Sequence, residues 1–309
     1  MNYTFLFPGQ GSQKIGMGKD FFESFDIAKK RFEEANTILG RDLAKICFEG
    51  PEETLLATQN TQPAIFTLET IICDVLVQKG FAPVYVAGHS LGEYSALYAA
   101  GFFSFNEGIS LVVRRGELMA KACEKRPGIM AAIAGMPKER IRELCAAGTA
   151  GVVVCANENS PDQTVISGEI NAVKDACERL KTNGAKRAIP LPVAGAFHSP
   201  LMQSAADEFA VFIESYTFKP PRCPVISNVT AQLETSPEKV KSLLIRQLIS
   251  PVRWVDGMNV LSGLEFGTLL EVGPGSVLRN LAKKCNDRLN VLPCDTVTNV
   301  FSLTPSSAG

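Results

Sequence analysis

The stretch that decides the fold is VYVAGHSLG at residues 84–92, followed by an apolar, alanine-rich segment that runs to Ala100. An apolar run that ends at a glycine predicts a buried strand, and the segment after the turn predicts a helix. Strand, sharp turn and helix in this order are typical of an α/β protein. The two glycines leave room for a tight turn that exposes the Ser90 hydroxyl at a helix N-terminus, where developing negative charge is stabilised. Ser90 is therefore a candidate nucleophile, with a simple tight turn as the alternative.

Further strands and helices extend this pattern in both directions along the chain. Residues 3–7 predict a buried strand that ends at Pro-Gly, residues 62–78 predict a long helix, and residues 268–272 predict another strand. Between Pro127 and Pro192 the order changes to strand, helix, strand, strand, helix, strand, which is the ferredoxin-like order βαββαβ. We therefore expect a discontinuous large α/β domain, 1–126 and 193–309, with a small ferredoxin-like subdomain inserted at 127–192.

Composition excludes several classes of protein. The chain has 31 Lys and Arg residues and 32 Asp and Glu residues. It therefore lacks the excess of basic residues that would indicate nucleic acid or a membrane surface as a partner. No apolar stretch is long enough to span a membrane, and residues 1–13 lack the features of a signal peptide. Nine cysteines without a C-x-x-C pair predict reduced, buried thiols and a cytoplasmic protein. No metal site is expected, because ligand spacing is lacking.

A nucleophilic serine needs a base, and histidine is the usual one. The chain has two histidines, His89 and His198. His89 is adjacent to Ser90 on the turn, so its side chain should point away, and His198 is the candidate base; a hydrogen-bonded structural histidine is the alternative. Asp162 and Asp175 lie between Ser90 and His198, but both fall in the inserted subdomain. A backbone carbonyl or an amide could orient the imidazole instead.

Two further segments carry polar groups suited to acyl chemistry. An oxyanion hole could combine the backbone N–H of Leu91 with one from the glycine-rich loop FPGQGSQ at residues 7–13, for which phosphate binding or a simple turn is the alternative. Arg114 and Arg115 sit in an apolar helical stretch. Exposed arginines are common, but one directed into a pocket would bind a substrate carboxylate through two hydrogen bonds.

Taken together, these motifs resemble those of malonyl-CoA:acyl carrier protein transacylases and the acyltransferase domains of fatty-acid and polyketide synthases. The resemblance runs through nearly the whole chain. It rests on FPGQGSQ at 7–13, GHSLGE at 88–93, RRGELM at 114–119, FHSPLM at 197–202, SNV at 227–229, QLISPVRW at 247–254 and EVGPG at 271–275.

The resemblance implies a hydrolase-like α/β fold with a ferredoxin-like insert, and it implies a role for each matching residue. Ser90 would carry the acyl group, His198 would be its base, and Gln10 and Leu91 would form the oxyanion hole. Arg115 would bind the malonyl carboxylate. The remaining implied roles are orientation of His198 by Gln247 and Asn228, and acyl selectivity by Phe197 and Met119.

The function implied is transfer of a malonyl group from coenzyme A to the phosphopantetheine thiol of an acyl carrier protein, by a ping-pong reaction through a Ser90 ester. Coenzyme A would enter as part of the substrate, and no bound cofactor is expected. The alternatives are a discrete acyltransferase of a polyketide synthase, a serine thioesterase or esterase, and a carrier-binding protein without activity. A monomer is the default expectation. Basic residues that could dock the carrier are Lys181, Lys186, Arg187, Lys283, Lys284 and Arg288.

Overall fold

The computed structural model describes residues 2–147, 150–193 and 195–304 as two β-sheets covered by helices. The strands are β1 (Tyr3–Phe7), β2 (Pro83–Gly88), β3 (Gly128–Ala134), β4 (Val153–Ser160), β5 (Gln163–Glu169), β6 (Arg187–Pro190), β7 (Val225–Ile226), β8 (Leu233–Glu234), β9 (Thr268–Glu271) and β10 (Val291–Pro293). The helices are α1 (Lys19–Ser24), α2 (Asp26–Leu39), α3 (Leu43–Glu49), α4 (Glu52–Leu56), α5 (Thr58–Gln78), α6 (Gly92–Ala100), α7 (Phe105–Lys125), α8 (Lys138–Ala146), α9 (Ile170–Thr182), α10 (Gln203–Ile213), α11 (Pro237–Gln247), α12 (Trp254–Ser262), α13 (Val277–Cys285) and α14 (Val297–Ser302).

The larger sheet has six strands in the order β10-β9-β1-β2-β7-β8. All neighbouring pairs are parallel except β7 with β8, so the expected α/β class with a parallel sheet is confirmed. The register pairs Phe7 with Gly88 and Leu6 with Glu271. The carboxyl ends of β1, β2 and β9 therefore meet at one edge, which is where open parallel sheets place their ligand sites.

The smaller sheet has four strands in the order β4-β5-β3-β6, and every neighbouring pair is antiparallel. It is formed by β3, α8, β4, β5, α9 and β6 and has an apolar core of its own, built around residues such as Ile133, Ile166 and Leu180. The sheet is joined to the rest of the protein by a bridge between Asn157 and Val252. Lys138 reinforces this junction, because its ammonium lies 3.1 Å from Glu158 and 2.6 Å from Asp256.

Helix α5 begins at Thr58, four residues before the start that the sequence pattern predicts. The earlier start of α5 is unexpected because of Pro63, which has no N–H to donate to the Gln59 carbonyl one turn earlier. That carbonyl instead accepts a hydrogen bond of 2.8 Å from Arg41 Nη2. A contact from a distant side chain thus lets the helix continue through a residue that normally interrupts one.

The cysteine pattern also agrees with the structure. Seven of the nine cysteines are buried, and the other two are half-buried. Within the described part of the chain, no helix has both the length and the apolar character needed to cross a membrane.

Candidate active site

The site is centred on the turn between β2 and α6, which holds Ser90 at φ 54°. This left-handed conformation is costly for a residue with a side chain and persists only where the surroundings enforce it. A Cβ added to Gly88 would lie 1.9 Å from the carbonyl oxygen of Gly92, and one added to Gly92 would lie 2.0 Å from that of Phe7. Neither position can therefore hold another residue without displacing the backbone, and the tight turn raises Ser90 out of the sheet.

Ser90 and His198 meet through their side chains, with Ser90 Oγ 2.7 Å from His198 Nε2. The other ring nitrogen, Nδ1, lies 2.8 Å from the backbone carbonyl oxygen of Gln247. Because a carbonyl only accepts, Nδ1 carries the proton and Nε2 is the unprotonated nitrogen that faces the serine. Burial, followed by the charge of Arg115, lowers the pKa of His198 to about 3. The imidazole is neutral at physiological pH.

Arg115 lies beside this pair on α7 and is only 1% exposed. Its Nη1 donates to Gln62 Oε1 at 2.7 Å, and its Nη2 donates to Gln247 Oε1 at 2.9 Å and to Ser90 Oγ at 3.1 Å. Its buried Nε has no hydrogen-bond partner among the described residues. A guanidinium whose Nη2 lies next to the reactive hydroxyl is suited to a carboxylate, which accepts two parallel hydrogen bonds.

Arg114 lies on the other side of the same helix. Its side chain is 37% exposed and lies 3.6 Å from both Glu117 and Glu208. Successive helical residues are rotated by about 100°, so only one of two adjacent arginines can face the pocket. The structure assigns that place to Arg115.

Two amide side chains hold the strained turn. Asn228, which follows β7, accepts from the Ser90 N–H at 2.7 Å and donates to the Gly88 carbonyl at 2.6 Å. Gln247, the last residue of α11, donates through Nε2 to the Ser90 carbonyl at 2.9 Å. The sequence predicted that both residues orient His198; in the structure Gln247 contacts His198 directly, whereas Asn228 contacts the serine turn.

The glycine-rich loop after β1 packs against this turn, as shown by the close approach of Gly92 to Phe7. It brings Gln10 to the same cavity as Leu91 and Ser90. The side chain of Gln10 is held by α5, because its Oε1 accepts a hydrogen bond of 3.0 Å from Oγ1 of Thr58, the first residue of that helix. The two residues predicted for an oxyanion hole therefore line one wall together.

The cavity at Ser90 has a volume of about 100 Å³. The rest of its lining comes from the turn after β2, α7, the smaller sheet and the segment after β6, and it is mostly apolar: His89, Met119, Met130, Asn157, Leu191, Val193 and Phe197. A second cavity of about 310 Å³ adjoins it, and both are lined by Gln10 and Phe197. Phe197 and Met119, for which the resemblance implies a role in acyl selectivity, thus both line the Ser90 cavity. In the described ranges, no three His, Cys, Asp or Glu side chains cluster closely enough to hold a metal ion.

The side chains that sequence reasoning set aside do not orient His198, although His89 also lines the Ser90 cavity. His89 Nε2 is 2.9 Å from Asn159 Oδ1, and its ring packs on Trp254 at 5.5 Å. Asp162 accepts from Ser160 Oγ at 2.7 Å at the turn between β4 and β5. Asp175 lies on α9 of the smaller sheet. None of these residues makes a hydrogen bond with His198 Nδ1, whose partner is the Gln247 carbonyl.

Sequence reasoning missed two buried polar residues of the site. Gln62 holds Arg115 from α5, and Glu93 accepts hydrogen bonds from Gln247 and Asn228. In the sequence, both residues could have been identified as polar residues within otherwise apolar helical segments. Glu93 is also the last residue of the GHSLGE motif.

Comparison with known proteins agrees with this geometry. The acyl transferase domain family matches residues 4–300. A malonyl CoA-acyl carrier protein transacylase of Bacillus subtilis is 45% identical over 291 residues, covering 94% of this chain and 92% of that protein. An acyl carrier protein S-malonyltransferase from Vibrio cholerae superimposes with a TM-score of 0.94 at 42% identity, covering 98% of this chain and 100% of that one.

A further solved structure is a malonyl-transacylase in complex with a type II PKS acyl-carrier protein. It superimposes with a TM-score of 0.93 at 41% identity and covers 98% of each chain. The family match at residues 4–300 includes every residue of the site described above. This chain belongs to the acyl transferase domain family.

Proposed function

We propose that this protein is a malonyl-CoA:acyl carrier protein transacylase that works by a ping-pong reaction through a malonyl ester on Ser90. The observation that carries the proposal is Arg115, a buried guanidinium that lines the Ser90 cavity and whose Nη2 lies 3.1 Å from the nucleophilic oxygen. Such a charge favours an acyl group that ends in a carboxylate and rejects neutral acyl groups, which would leave the charge unpaired. Related proteins named as malonyl transacylases support the same substrate.

In the first half-reaction, His198 Nε2 takes the proton of the Ser90 hydroxyl as Oγ forms a bond to the thioester carbon. The backbone N–H groups of Leu91 and Gln10 stabilise the oxyanion. When the C–S bond breaks, His198 returns the proton to the departing coenzyme A thiol. The malonyl carboxylate offsets the charge of Arg115, which is one cause of the low pKa of His198, so substrate binding strengthens the base.

In the second half-reaction, His198 takes the proton of the phosphopantetheine thiol, whose sulfur attacks the ester carbon. The C–O bond then breaks and Ser90 recovers its proton. Coenzyme A and phosphopantetheine belong to the substrate and to the carrier, so the enzyme needs no cofactor of its own. A type II PKS acyl-carrier protein bound to a related transacylase supports a carrier protein as the acceptor.

A serine thioesterase or esterase is the alternative of another reaction class. Such a hydrolase uses a carboxylate to orient its histidine. Here the partner of His198 Nδ1 is a main-chain carbonyl, and a buried arginine lies where a neutral acyl chain would have to bind. Both observations favour transfer of a charged acyl group, and the intact Ser90–His198 pair argues against an inactive carrier-binding protein.

The apolar residues of the cavity adjust which malonyl groups fit. Phe197 lines both the Ser90 cavity and the larger one beside it, and Met119 lines the Ser90 cavity together with Arg115. We propose that the Phe197 ring fills the space needed by a substituent on the malonyl α-carbon. The same chemistry would serve fatty-acid or polyketide synthesis, because only the carrier differs.

The domain assignment belongs to this proposal as well. The strand order β4-β5-β3-β6 with both helices in the crossovers supports a ferredoxin-like subdomain at 127–192, inserted in a hydrolase-like domain at 1–126 and 193–309. Residues 148, 149, 194 and 305–309 of these ranges lie outside the described residues. We further propose a monomer in the cytoplasm. The six basic residues suggested for carrier docking are all exposed, and Lys181 pairs with Glu178.

Mass spectrometry of the intact protein tests the reaction. Incubation with malonyl-CoA should add one malonyl group, and peptide mapping should place it on Ser90. Ser90→Ala should remove the adduct, whereas Ser95→Ala, a buried serine one turn further along α6, should keep it. Transfer of the label to a phosphopantetheinylated carrier should follow. Steady release of coenzyme A without an ester, and without a malonyl preference, would favour the thioesterase.

A further inference from the structure

Glu93 is a buried carboxylate that none of the steps above uses. It lies three residues after Ser90 in the first turn of α6 and is 3% exposed. Its Oε1 accepts from the Asn228 backbone N–H at 3.1 Å, and its Oε2 accepts from Gln247 Nε2 at 2.5 Å. Glu93 therefore contacts the two residues that support the serine turn, from the side opposite to the cavity.

The Gln247 amide lies between two charges. Its oxygen accepts from Arg115 Nη2 at 2.9 Å, while its nitrogen donates to Glu93 and to the Ser90 carbonyl. A side-chain amide can rotate by 180° and exchange its oxygen and nitrogen. A carboxylate only accepts and a guanidinium only donates, so a single orientation of Gln247 satisfies both neighbours. The negative charge of Glu93 thus determines which end of the amide meets Arg115.

The environment of Glu93 both opposes and supports its negative charge, and burial has the larger effect. Burial raises the pKa of Glu93 to about 7, while the hydrogen bonds from Gln247, Asn228 and the Ser227 side chain and the charge of Arg115 act to lower it. The charge that faces it from α7 is Arg115, His198 beyond Gln247 is neutral, and the residues from α11 and from the loop after β7 contribute only uncharged donors. One amide separates the two opposite charges.

We infer that Glu93 is a positioning residue that, through the Gln247 amide, holds Arg115 where the malonyl carboxylate binds and thereby sets the preference for a charged acyl group. The inference rests on the function proposed above. Glu93 touches neither the acyl group nor His198, so its role concerns selectivity rather than the attack by Ser90.

The variant Glu93→Gln tests this because it keeps the size of the side chain. Its oxygen could still accept from the Asn228 N–H, but its new amide nitrogen would face the Gln247 nitrogen. Two donors cannot bond, so Gln247 would rotate and present its nitrogen to Arg115, which would move away. The ratio of kcat/KM for malonyl-CoA to that for acetyl-CoA should fall by about 10-fold to 100-fold, the effect of losing one hydrogen bond to a charged group. The value for acetyl-CoA should fall by a smaller factor, because the rotation also removes the hydrogen bond from Gln247 to the Ser90 carbonyl.

Two further variants show whether the effect passes through Gln247. Glu69→Gln is the matched control, because Glu69 is also fully buried but lies beside Gly273, and it should leave the ratio unchanged. In a Gln247→Met background, Glu93→Gln should have no additional effect on the ratio. If Glu93→Gln does not fold, Gln247→Met alone must lower the ratio by the same factor.

The outcomes separate this inference from the proposed function. Equal losses with both substrates would mean that Glu93 only supports the fold, and a higher malonyl preference would mean that it competes with malonyl for Arg115. Either result, or an unchanged ratio, overturns the inference while leaving the transacylase intact. A wild-type protein that forms no malonyl ester would instead refute the proposed function.

Discussion

Replacing Arg115 with alanine should convert the enzyme from a malonyl-selective to an unselective acyltransferase. The guanidinium is 1% exposed, and a malonyl carboxylate beside Ser90 would accept two hydrogen bonds from it. Hydrogen bonds to charged groups contribute about 1.5–3 kcal/mol each, so the variant loses about 3–6 kcal/mol of transition-state stabilisation. Each 1.36 kcal/mol is tenfold, so kcat/KM for malonyl-CoA should fall by about 10² to 10⁴.

The assay is release of coenzyme A in the presence of a carrier protein, with malonyl-CoA and acetyl-CoA measured in separate reactions. Arg115→Lys should lie between the wild type and Arg115→Ala, because an ammonium keeps the charge but not the two parallel donors. Arg114→Ala is the matched control, since its side chain pairs with Glu117 and Glu208 at the surface. An equal loss with acetyl-CoA in Arg115→Ala, at an unchanged circular dichroism spectrum, would refute the carboxylate clamp.

Three other changes have defined outcomes. Asn228→Ala leaves the Ser90 N–H and the Gly88 carbonyl without their hydrogen-bond partner. The free energy of unfolding in urea should fall by about 1–3 kcal/mol for each of these two groups, and kcat should fall as well. An unaltered denaturation midpoint would contradict the role of Asn228 in holding the serine turn. Phe197→Ala joins the two cavities, so competition between methylmalonyl-CoA and malonyl-CoA should shift toward the branched substrate, and an unchanged ratio would remove Phe197 from selectivity. Acylation requires unprotonated His198, and burial holds the pKa of this residue at about 3. The acylation rate with acetyl-CoA should therefore stay nearly constant from pH 7.5 down to pH 5.5. A tenfold loss over this range, as expected for an imidazole with an ordinary pKa near 6.5, would show that burial does not hold His198 neutral.

Local patterns predicted those parts of the molecule that local physics determines. The strand Tyr3–Phe7 has the predicted bounds, because a short apolar run between a polar start and Pro-Gly has few alternatives. Ser90 was predicted as the nucleophile from its local turn, because such a tight turn needs Gly88 and Gly92 regardless of the rest of the fold. The start of α5 was missed, because Arg41, far away in sequence, satisfies the carbonyl that Pro63 leaves free.

The support around the nucleophile was harder to predict, because it depends on distant contacts. Gln62 lies 53 residues from Arg115, and Glu93 lies 154 residues from Gln247. No spacing rule connects such pairs, and a lone polar residue in an apolar helix is consistent with many roles. Likewise, the choice between Arg114 and Arg115 required the rotation of α7 relative to the sheet. The family motifs supplied the roles, and the structure supplies the contacts.

The cavity has walls from two separate sheets, and this has a consequence for how the enzyme could diversify. Ser90 and Arg115 come from segments associated with the parallel sheet, whereas Met130, Asn157 and Leu191 come from the antiparallel sheet or its edge. One part of the cavity wall is therefore encoded in residues 127–192, apart from the reacting groups and from Met119 and Phe197. Recombination within residues 127–192 would change the shape presented to the acyl chain while leaving the reacting groups untouched, so new substrate ranges could arise without rebuilding the chemistry.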